Sequence, residues 1–233
     1  GSELTRLSSA FDHMADRLAS TEATRAGLLA DLAHELRTPL ATLEAYVDGL
    51  EDGVVAPDPA SYEVMRDQVA RLRRLAADLR ETAAAEEHAL GLVLTPADPA
   101  SIARDAVAAS RPAYVVKGVA LELDQAEGCP PVLADAQRLQ QVLANLLDNA
   151  LRHTPPGGHV RLSVGGDPAG TSVALTLNDD GEGIAPDQLS AVFQRFYRAD
   201  PSRSVQDGGG SGLGLTIAKA IVEDHGGSLT VHS

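Results

Sequence analysis

Apolar and polar positions recur with a helical period near the start of the chain. At about 100° per residue they form one apolar stripe, made of Leu28, Leu32, Leu36, Leu40, Leu43, Val47 and Leu50. His34 points about 160° away from Leu36, which predicts a histidine displayed to solvent rather than packed in a core. Pro39 has no N–H to donate and crowds the preceding turn, so we expect the helix to bend just after this histidine.

A coiled-coil seam precedes this helix. Its apolar positions alternate between steps of three and four residues at Leu4, Leu7, Phe11, Met14 and Leu18. After Leu28 the steps change, and such a phase slip alters supercoiling just before His34. We hypothesise that an upstream twist or tilt could reach the histidine through this slip.

A break at Asp52–Pro59, rich in glycine and proline, separates the first helix from a second one. The second helix has one apolar face, made of Met65, Val69, Leu72, Ala76, Leu79 and Ala83. Two helices with one apolar face each cannot bury both faces by themselves. We therefore expect two copies of the hairpin to associate as a four-helix bundle.

The rest of the chain alternates helix and strand patterns after a predicted linker at 89–99. Helices are predicted at 102–109, 137–152 and 213–224, and strands at 119–123, 160–164, 172–177 and 228–231. This order is typical of a layered domain in which helices cover a sheet.

Composition narrows the possible functions. The chain has 233 residues, enough for one or two domains, and its formal net charge of −14 argues against nucleic acid as a partner. Cys129 is the only cysteine, which excludes an internal disulfide and a cysteine-rich metal site. No apolar run is long enough for a membrane span. The opening Gly1-Ser2 resembles a cloning scar, so we expect a fragment of a longer protein.

Polar side chains line one side of the helix at 137–152. Gln141, Asn145, Asn149 and Arg152 follow one another at helical spacing, opposite a leucine-rich side. Amide oxygens suit a hard cation such as Mg²⁺, which takes further ligands from phosphates, and Arg152 could add positive charge. The alternative is an ordinary polar face in contact with solvent.

The next candidate follows an apolar strand, where Asn178 to Ile184 contain the spacing D-x-G-x-G. This spacing places the Asp179 carboxylate at a strand end, followed by glycines that let a flat ligand approach the backbone. The carboxylate could accept a hydrogen bond from an exocyclic amino group such as that of adenine. An ordinary glycine-rich turn is the alternative.

A glycine-rich run from Gly208 to Leu215 leads directly into a helix. Free N–H groups and the helix dipole make such a start an anion site, although the run does not match G-x-x-x-x-G-K-[ST]. A segment with Arg195, Arg198 and Arg203 precedes this run. We interpret it as a mobile lid whose positively charged arginines could contact a polyphosphate. A surface loop is the alternative for this segment.

With these motifs in order, the chain resembles the bacterial sensor histidine kinases of two-component systems. HELRTPL resembles their phosphoacceptor box, NLLDNALRH the N box, DDGEGI the first glycine box, FQRFYR the F box and GSGLGL the second glycine box. The resemblance implies an α+β fold, in which a dimeric helical hairpin precedes an α/β sandwich with a mixed sheet. Residues 1–22 would be a scar and the end of a HAMP-like helix, 23–90 the hairpin, and 91–233 the ATP-binding domain without its last strand.

The resemblance also implies roles for the hairpin residues. His34 would accept the γ-phosphate of ATP on a ring nitrogen, and Glu35 would hold and deprotonate its imidazole. The phosphoryl group would then pass to an aspartate in the receiver domain of a response regulator. Thr38 could orient a water molecule that removes phosphate from that regulator.

In the ATP-binding domain the resemblance implies ATP and Mg²⁺ as ligands. Asn149 would bind Mg²⁺ most directly, with Asn145 close by, and Asp179 would recognise adenine. The remaining nucleotide contacts would come from Arg152, His153, Gly181, Gly183, Arg198, Gly210, Gly212, Leu213, Gly214 and Leu215.

The resemblance implies that the chain forms a homodimer. It also implies that the chain is the cytoplasmic portion of a membrane-anchored full-length protein. Two other interpretations remain open. An ATPase of the same nucleotide-binding superfamily would share the asparagines and glycines but would have no use for an exposed His34-Glu35 pair. A coiled-coil scaffold regulated by nucleotide would bind ATP without phosphorylating His34.

Overall fold

The structure is a computed structural model of the chain. It describes residues 27, 30, 32–33, 35–86, 91–126, 129–166, 172–195, 197 and 212–233, with the backbone alone at 81–86. The chain divides into two compact units, Gly1–Arg74 and Leu75–Ser233. The predicted coiled-coil seam from Leu4 to Leu18 lies outside the described residues. Among the described helices, none is both long and apolar enough to cross a membrane.

The first unit contains most of the predicted helical hairpin. Helix α1 covers residues 35–51, and α2 covers Pro59–Glu86, so it continues into the second unit. Gly53 reverses the chain after α1 with a φ of 69°. A Cβ added at Gly49 would lie 2.5 Å from the Cγ2 atom of Val55, so the returning chain packs where only glycine fits.

Helix α2 begins where the predicted break ends, because Asp58 and Pro59 favour a helix start. The Asp58 Oδ1 accepts a hydrogen bond from the backbone N–H of Ser61 at 2.9 Å, and Pro59 occupies the first helical position. This Ser61 N–H bond is the largest of the hydrogen bonds that lower the pKa of the Asp58 carboxyl. The Ser61 hydroxyl donates to the carbonyl oxygen of Ala56 at 2.8 Å and closes the turn.

The apolar stripes of the hairpin are only half-buried within this one chain. Leu40 and Val47 of α1 are 45% and 42% exposed, and Tyr62 and Val69 of α2 are 45% and 41% exposed. Pro39, in contrast, is fully buried. A substantial apolar surface therefore remains on the first unit, as the amphipathic pattern predicts.

The described part of the second unit contains two small sheets. Strands β1 (Thr95–Ala97) and β3 (Val132–Ala134) pair antiparallel. The larger sheet has the order β2-β4-β5, formed by Ala120–Gln125, His159–Gly166 and Val173–Asp179. Since β2 runs parallel and β5 antiparallel to β4, the sheet is mixed, as expected.

Among the residues that the structure describes, three helices accompany these sheets: α3 (Pro99–Lys117), α4 (Ala136–His153) and α5 (Gly214–Asp224). Helices α3 and α4 pack on the larger sheet, and α5 packs on α4. Along β4, buried and more exposed positions alternate, so one face of the sheet meets the helices. The fully buried core side chains include Tyr114, Leu143, Leu147, Val160 and Leu162.

The structure corrects two predictions for the ends of this unit. Thr95–Ala97 forms a strand inside the predicted linker 89–99, because Pro96 pairs with Leu133 across an antiparallel ladder. Residues 228–231, predicted as a strand, form none. A strand requires a hydrogen-bonded neighbour, and no ladder with a described strand reaches this segment.

Helix α3 is longer than the predicted 102–109, although Pro112 lies inside it. Tyr114 is buried in the core, and its hydroxyl donates to the carbonyl oxygen of Leu147 in α4 at 2.8 Å. Gly118 then ends the helix in the left-handed conformation, with a φ of 73°. Tertiary packing of Tyr114 therefore outweighs the local effect of the proline.

Candidate active site

The polar side of α4 carries both predicted metal-binding asparagines. Asp135 fixes the start of α4 by accepting hydrogen bonds from the N–H groups of Gln137 and Arg138. The Nδ2 of Asn145 donates to the carbonyl oxygen of Gly214 at 3.1 Å, which joins the N box to the start of α5. Asn149 is half-buried, and its amide has no hydrogen-bond partner within the described part of the chain.

Helix α3 holds the other end of α4. The Lys117 ammonium donates to the carbonyl oxygens of Leu151 and Arg152 at 2.6 and 2.9 Å. These carbonyls belong to the last turn of α4, where a cation also complements the helix dipole. Burial raises the pKa of Tyr114, and the charges of Asp148 and Asp179 add to this rise. The neutral phenol therefore remains a donor to α4.

The loop after β5 returns to the C-terminal end of α4. The Oδ1 of Asp179 accepts a hydrogen bond from the N–H of Gly181 at 3.0 Å. A Cβ added at Gly181 would lie 2.7 Å from that oxygen and 2.8 Å from the carbonyl oxygen of His153. Gly183 has a φ of 74°, which favours glycine. The predicted adenine-recognising carboxylate and the end of the N box are thus held together by a loop that requires glycine.

Two histidine–carboxylate pairs flank this loop. The Nδ1 of His153 lies 3.2 Å from the Oε1 of Glu182. Asp180 accepts from the backbone N–H of His159 at 2.8 Å, and its second oxygen lies 3.3 Å from the His159 ring. The bond from the His159 N–H is the largest cause that lowers the pKa of the Asp180 carboxyl. These pairs connect the loop to α4 and β4.

The described part of the second glycine box starts α5. Gly212 has a φ of 70°, Leu213 is fully buried, and Gly214 opens the helix. Leu213 occupies the N-cap position and offers no side-chain hydrogen bond to the first N–H groups of α5. Backbone donors at such a start suit an anion. Leu215 is half-buried in the first turn.

Helix α5 also contacts the beginning of the F box. The Thr216 hydroxyl donates to the carbonyl oxygen of Phe193 at 3.0 Å, and the Lys219 ammonium lies 5.2 Å from the Phe193 ring centre. Burial lowers the pKa of the Arg195 guanidinium. Phe193 is therefore fixed to the same helix that starts at the second glycine box.

The structure places Arg152 beside another α4 side chain. Its Nη2 lies 2.8 Å from the Oδ2 of Asp148, one turn earlier, in a partly exposed ion pair. A phosphate contact by Arg152 therefore stays a prediction, and it would compete with this pair.

The hairpin carries the phosphoacceptor box. The Oε2 of Glu35 accepts from the Nη2 of Arg71 in α2 at 3.1 Å, and both side chains are mostly buried. Thr38 is exposed, and its carbonyl oxygen accepts from the Thr42 hydroxyl at 3.1 Å. His34 lies outside the described residues, as do Arg198, Arg203 and Gly210.

Several residues that shape these sites carry no local sequence signal. Arg71 meets Glu35 from another helix, and Thr216 and Lys219 meet Phe193 across a long separation in sequence. The pairing of His159 with Asp180 likewise depends on the register of β4 and β5.

Comparison with known proteins identifies the family. Residues 24–88 match the His Kinase A (phospho-acceptor) domain, and residues 134–233 match the Histidine kinase-, DNA gyrase B-, and HSP90-like ATPase family. The signal transduction histidine-protein kinase BaeS of Escherichia coli (strain K12) is 36% identical over 227 residues, which cover 97% of this chain and 48% of BaeS. The chain belongs to the sensor histidine kinases. In this chain the match to the phospho-acceptor domain precedes the match to the ATPase family.

Solved structures agree with this assignment. The histidine kinase AdeS of Acinetobacter baumannii has a TM-score of 0.68 and 29% identity, covering 82% of this chain and 86% of that one. Full-length ShkA in complex with AMPPNP has a TM-score of 0.62 and 29% identity, covering 86% of this chain and 41% of ShkA. The chain spans about half the length of BaeS. The predicted family and the α+β fold are confirmed, while the individual site residues and domain boundaries stay predictions.

Proposed function

We propose that the chain binds Mg²⁺–ATP in its second unit and phosphorylates His34. A ring nitrogen of His34 forms a bond to the γ-phosphorus, the bond from that phosphorus to the bridging oxygen breaks, and ADP leaves. Glu35 holds the imidazole and takes its proton, which makes the attacking nitrogen a better nucleophile. The phosphoryl group then passes to an aspartate of a response regulator.

One observation carries the ATP assignment: the contact between Asn145 and Gly214 at 3.1 Å. It brings the polar side of α4 to the N-terminus of α5, where the N-cap Leu213 makes no side-chain cap and backbone donors suit phosphate. The Asp179–Gly181 loop meets the same helix α4 at its other end, where a base could lie. The complex of the similar ShkA with AMPPNP, an ATP analogue, supports the same ligand class.

The residues on α4 fit a magnesium ion. Asn149 has an amide without a hydrogen-bond partner among the described residues, so its oxygen is available. Asn145 uses its Nδ2 for Gly214, which leaves its oxygen available too. Among the described ranges, no group of three or more His, Cys, Asp or Glu side chains could hold a metal. When bound, Mg²⁺ would neutralise charge on the ATP phosphates.

Glu35 is positioned for its role by the ion pair with Arg71 in α2. Because both side chains are mostly buried, the pair limits the rotamers that Glu35 can adopt beside His34. Thr38 stays exposed one turn further along, where it could orient a water molecule for removing phosphate from the regulator. The domain limits 1–22, 23–90 and 91–233 belong to the same proposal.

The deciding experiment incubates the chain with Mg²⁺ and γ-labelled ATP and compares it with the His34→Gln variant. We expect label that is labile in acid, stable in base and absent from the variant. His232→Gln is the matched control because His232 is exposed; it should be labelled like the parent chain. ATP hydrolysis without label would favour an ATPase, and ATP binding without either would favour a nucleotide-regulated scaffold.

We also propose that the hairpin forms a homodimer. The exposed apolar side chains Leu40, Val47, Tyr62 and Val69 supply the surface that a second copy would bury as a four-helix bundle. Sedimentation velocity should give twice the mass of the chain, and Leu40→Glu with Val69→Glu should lower it. A monomer at tens of micromolar would contradict this proposal.

The parent protein is proposed to be a membrane-anchored sensor, with this chain in the cytoplasm. The resemblance of the leader to a HAMP relay helix supports this placement. Membrane fractionation of the full-length protein, followed by extraction in detergent but not in salt, is the corresponding test.

A further inference from the structure

Helices α4 and α5 are joined by side-chain hydrogen bonds near both ends of α5. Near the start of α5, Asn145 donates to the carbonyl oxygen of Gly214. After its last turn, the Nε2 of His225 accepts from the backbone N–H of Asp135 at 3.0 Å. Asp135 precedes α4 and Asn145 lies within it, so the helices run antiparallel and the two bonds are about 15 Å apart along α4.

The two contacts of the His225 ring determine its tautomer. Nε2 accepts the Asp135 N–H, so it carries no proton, and Nδ1 donates to the carbonyl oxygen of Ile221 at 2.7 Å. The ring is therefore neutral, with its proton on Nδ1. It connects the last turn of α5 to Asp135, the N-cap residue of α4, and uses both nitrogens to do so.

His225 replaces a capping residue that α4 lacks. In a capping box, a Glu or Gln at the third helical position accepts from the N–H of the N-cap residue. Here the N-cap is Asp135 and the third position is Arg138, which has no acceptor atom. The His225 ring accepts that N–H from a different helix. One side chain therefore provides hydrogen-bond partners for the Asp135 N–H at the start of α4 and for the Ile221 carbonyl oxygen near the end of α5.

We propose that His225 is a positioning residue for ATP binding, acting by fixing the register of α5 against α4. The inference rests on the proposed ATP site, because that site lies at the other end of α5. Loss of the Asp135 bond would leave α5 held by Asn145 and by packing alone. The helix could then shift along α4 and move Leu213 and Gly214 away from the phosphate-binding position.

Two substitutions separate the two bonds of the ring. His225→Gln places an amide oxygen near the Nε2 position and can accept from Asp135. His225→Asn reaches only the Nδ1 position, so it keeps the bond to Ile221 and loses the bond to α4. We expect the Asn variant to bind ATP about fivefold more weakly, as the loss of one neutral hydrogen bond implies, and the Gln variant to stay within about twofold of the parent.

Kinetics separate positioning from simple destabilisation. In the Asn variant the KM for ATP should rise, whereas kcat at saturating ATP should stay near that of the parent, since α1 is unchanged. Ile221→Val is the matched control because it trims a buried side chain in the same turn and keeps the carbonyl oxygen. It should lower the melting temperature without changing the KM.

Hydrogen exchange tests the bond itself, independently of ATP. The amide of Asp135 should exchange slowly in the parent and the Gln variant, and at least about tenfold faster in the Asn variant. Equal exchange in all three, equal ATP affinity of the Asn variant and the parent, or equal weakening by Gln and Asn would each overturn the inference. If the parent binds no ATP while the exchange pattern holds, the proposed function fails and the helix register assignment stands.

Discussion

Arg71 and Glu35 form an ion pair across the helical hairpin, with 3.1 Å between Nη2 and Oε2. The side chains are only 16% and 14% exposed. Such a pair is screened little by solvent, unlike a surface salt bridge. It fixes α2 against α1 directly beside the phosphoacceptor position, so the stability of the hairpin and the orientation of Glu35 depend on the same contact.

The first prediction concerns this ion pair. Arg71→Met keeps the aliphatic length but removes the charge, and we expect it to destabilise the hairpin by about 2 kcal/mol. Urea unfolding of Arg71→Met, Glu35→Gln and the double variant gives the coupling energy. The double variant should lose less than the sum of the single ones. Strict additivity would contradict a direct interaction between the two residues.

The second prediction compares the two asparagines of α4. Asn149→Ala should weaken Mg²⁺–ATP binding by about tenfold or more without changing the melting temperature, because the side chain makes no hydrogen bond to a described residue. Asn145→Ala should weaken binding and also destabilise the second unit by about 1 kcal/mol, since it breaks the bond to Gly214. Calorimetric titration and thermal unfolding measure the two effects. Equal losses of stability in both variants would refute the distinction.

The third prediction concerns glycines of the two boxes. A Cβ at Gly181 would lie 2.8 Å from a backbone oxygen, whereas a Cβ at Gly214 would lie 3.7 Å from Asn145, an ordinary contact. Gly181→Ala should therefore cost about 1–3 kcal/mol of unfolding free energy, and Gly214→Ala should cost little. Thermal unfolding without nucleotide measures the difference. A stable Gly181→Ala protein would mean that the loop can shift away from the end of α4.

Much of this architecture follows from local signals in the sequence. The hairpin turn was predictable because Gly53, Pro57 and Pro59 interrupt two helical stripes, and α4 was predictable because its leucines recur at helical spacing. In the core strands β4 and β5, more buried and more exposed positions alternate, as a sheet with one buried face requires. Where the local pattern and the tertiary contacts agree, prediction succeeds.

The errors occur where tertiary contacts decide. Strand β1 has only three residues and includes Pro96, so its pairing with β3 leaves no periodic pattern to detect. Helix α3 passes Pro112 because Tyr114 is anchored in the core. The partners Arg71 for Glu35 and His225 for Asp135 are distant in sequence, and one sequence without relatives contains no signal that pairs them.

The last prediction concerns acid stability. Hydrogen bonds to the Asp135 carboxylate, first from Val93 and then from Arg138 and Gln137, lower its pKa below the usual value of 3.8. The folded state therefore binds a proton at Asp135 less readily than the unfolded chain does. The ionised carboxylate stabilises the fold fully above about pH 4, and this contribution is lost as the pH falls through the lowered pKa.

Asp135→Asn keeps a good capping side chain but cannot titrate, so the free energy of unfolding of this variant should fall less steeply between about pH 4 and pH 2. Urea unfolding across this range, with Asp105→Asn as the control for an exposed aspartate on α3, measures the slopes. Equal slopes for the parent chain and Asp135→Asn would show that the capping bonds do not depend on the charge of Asp135.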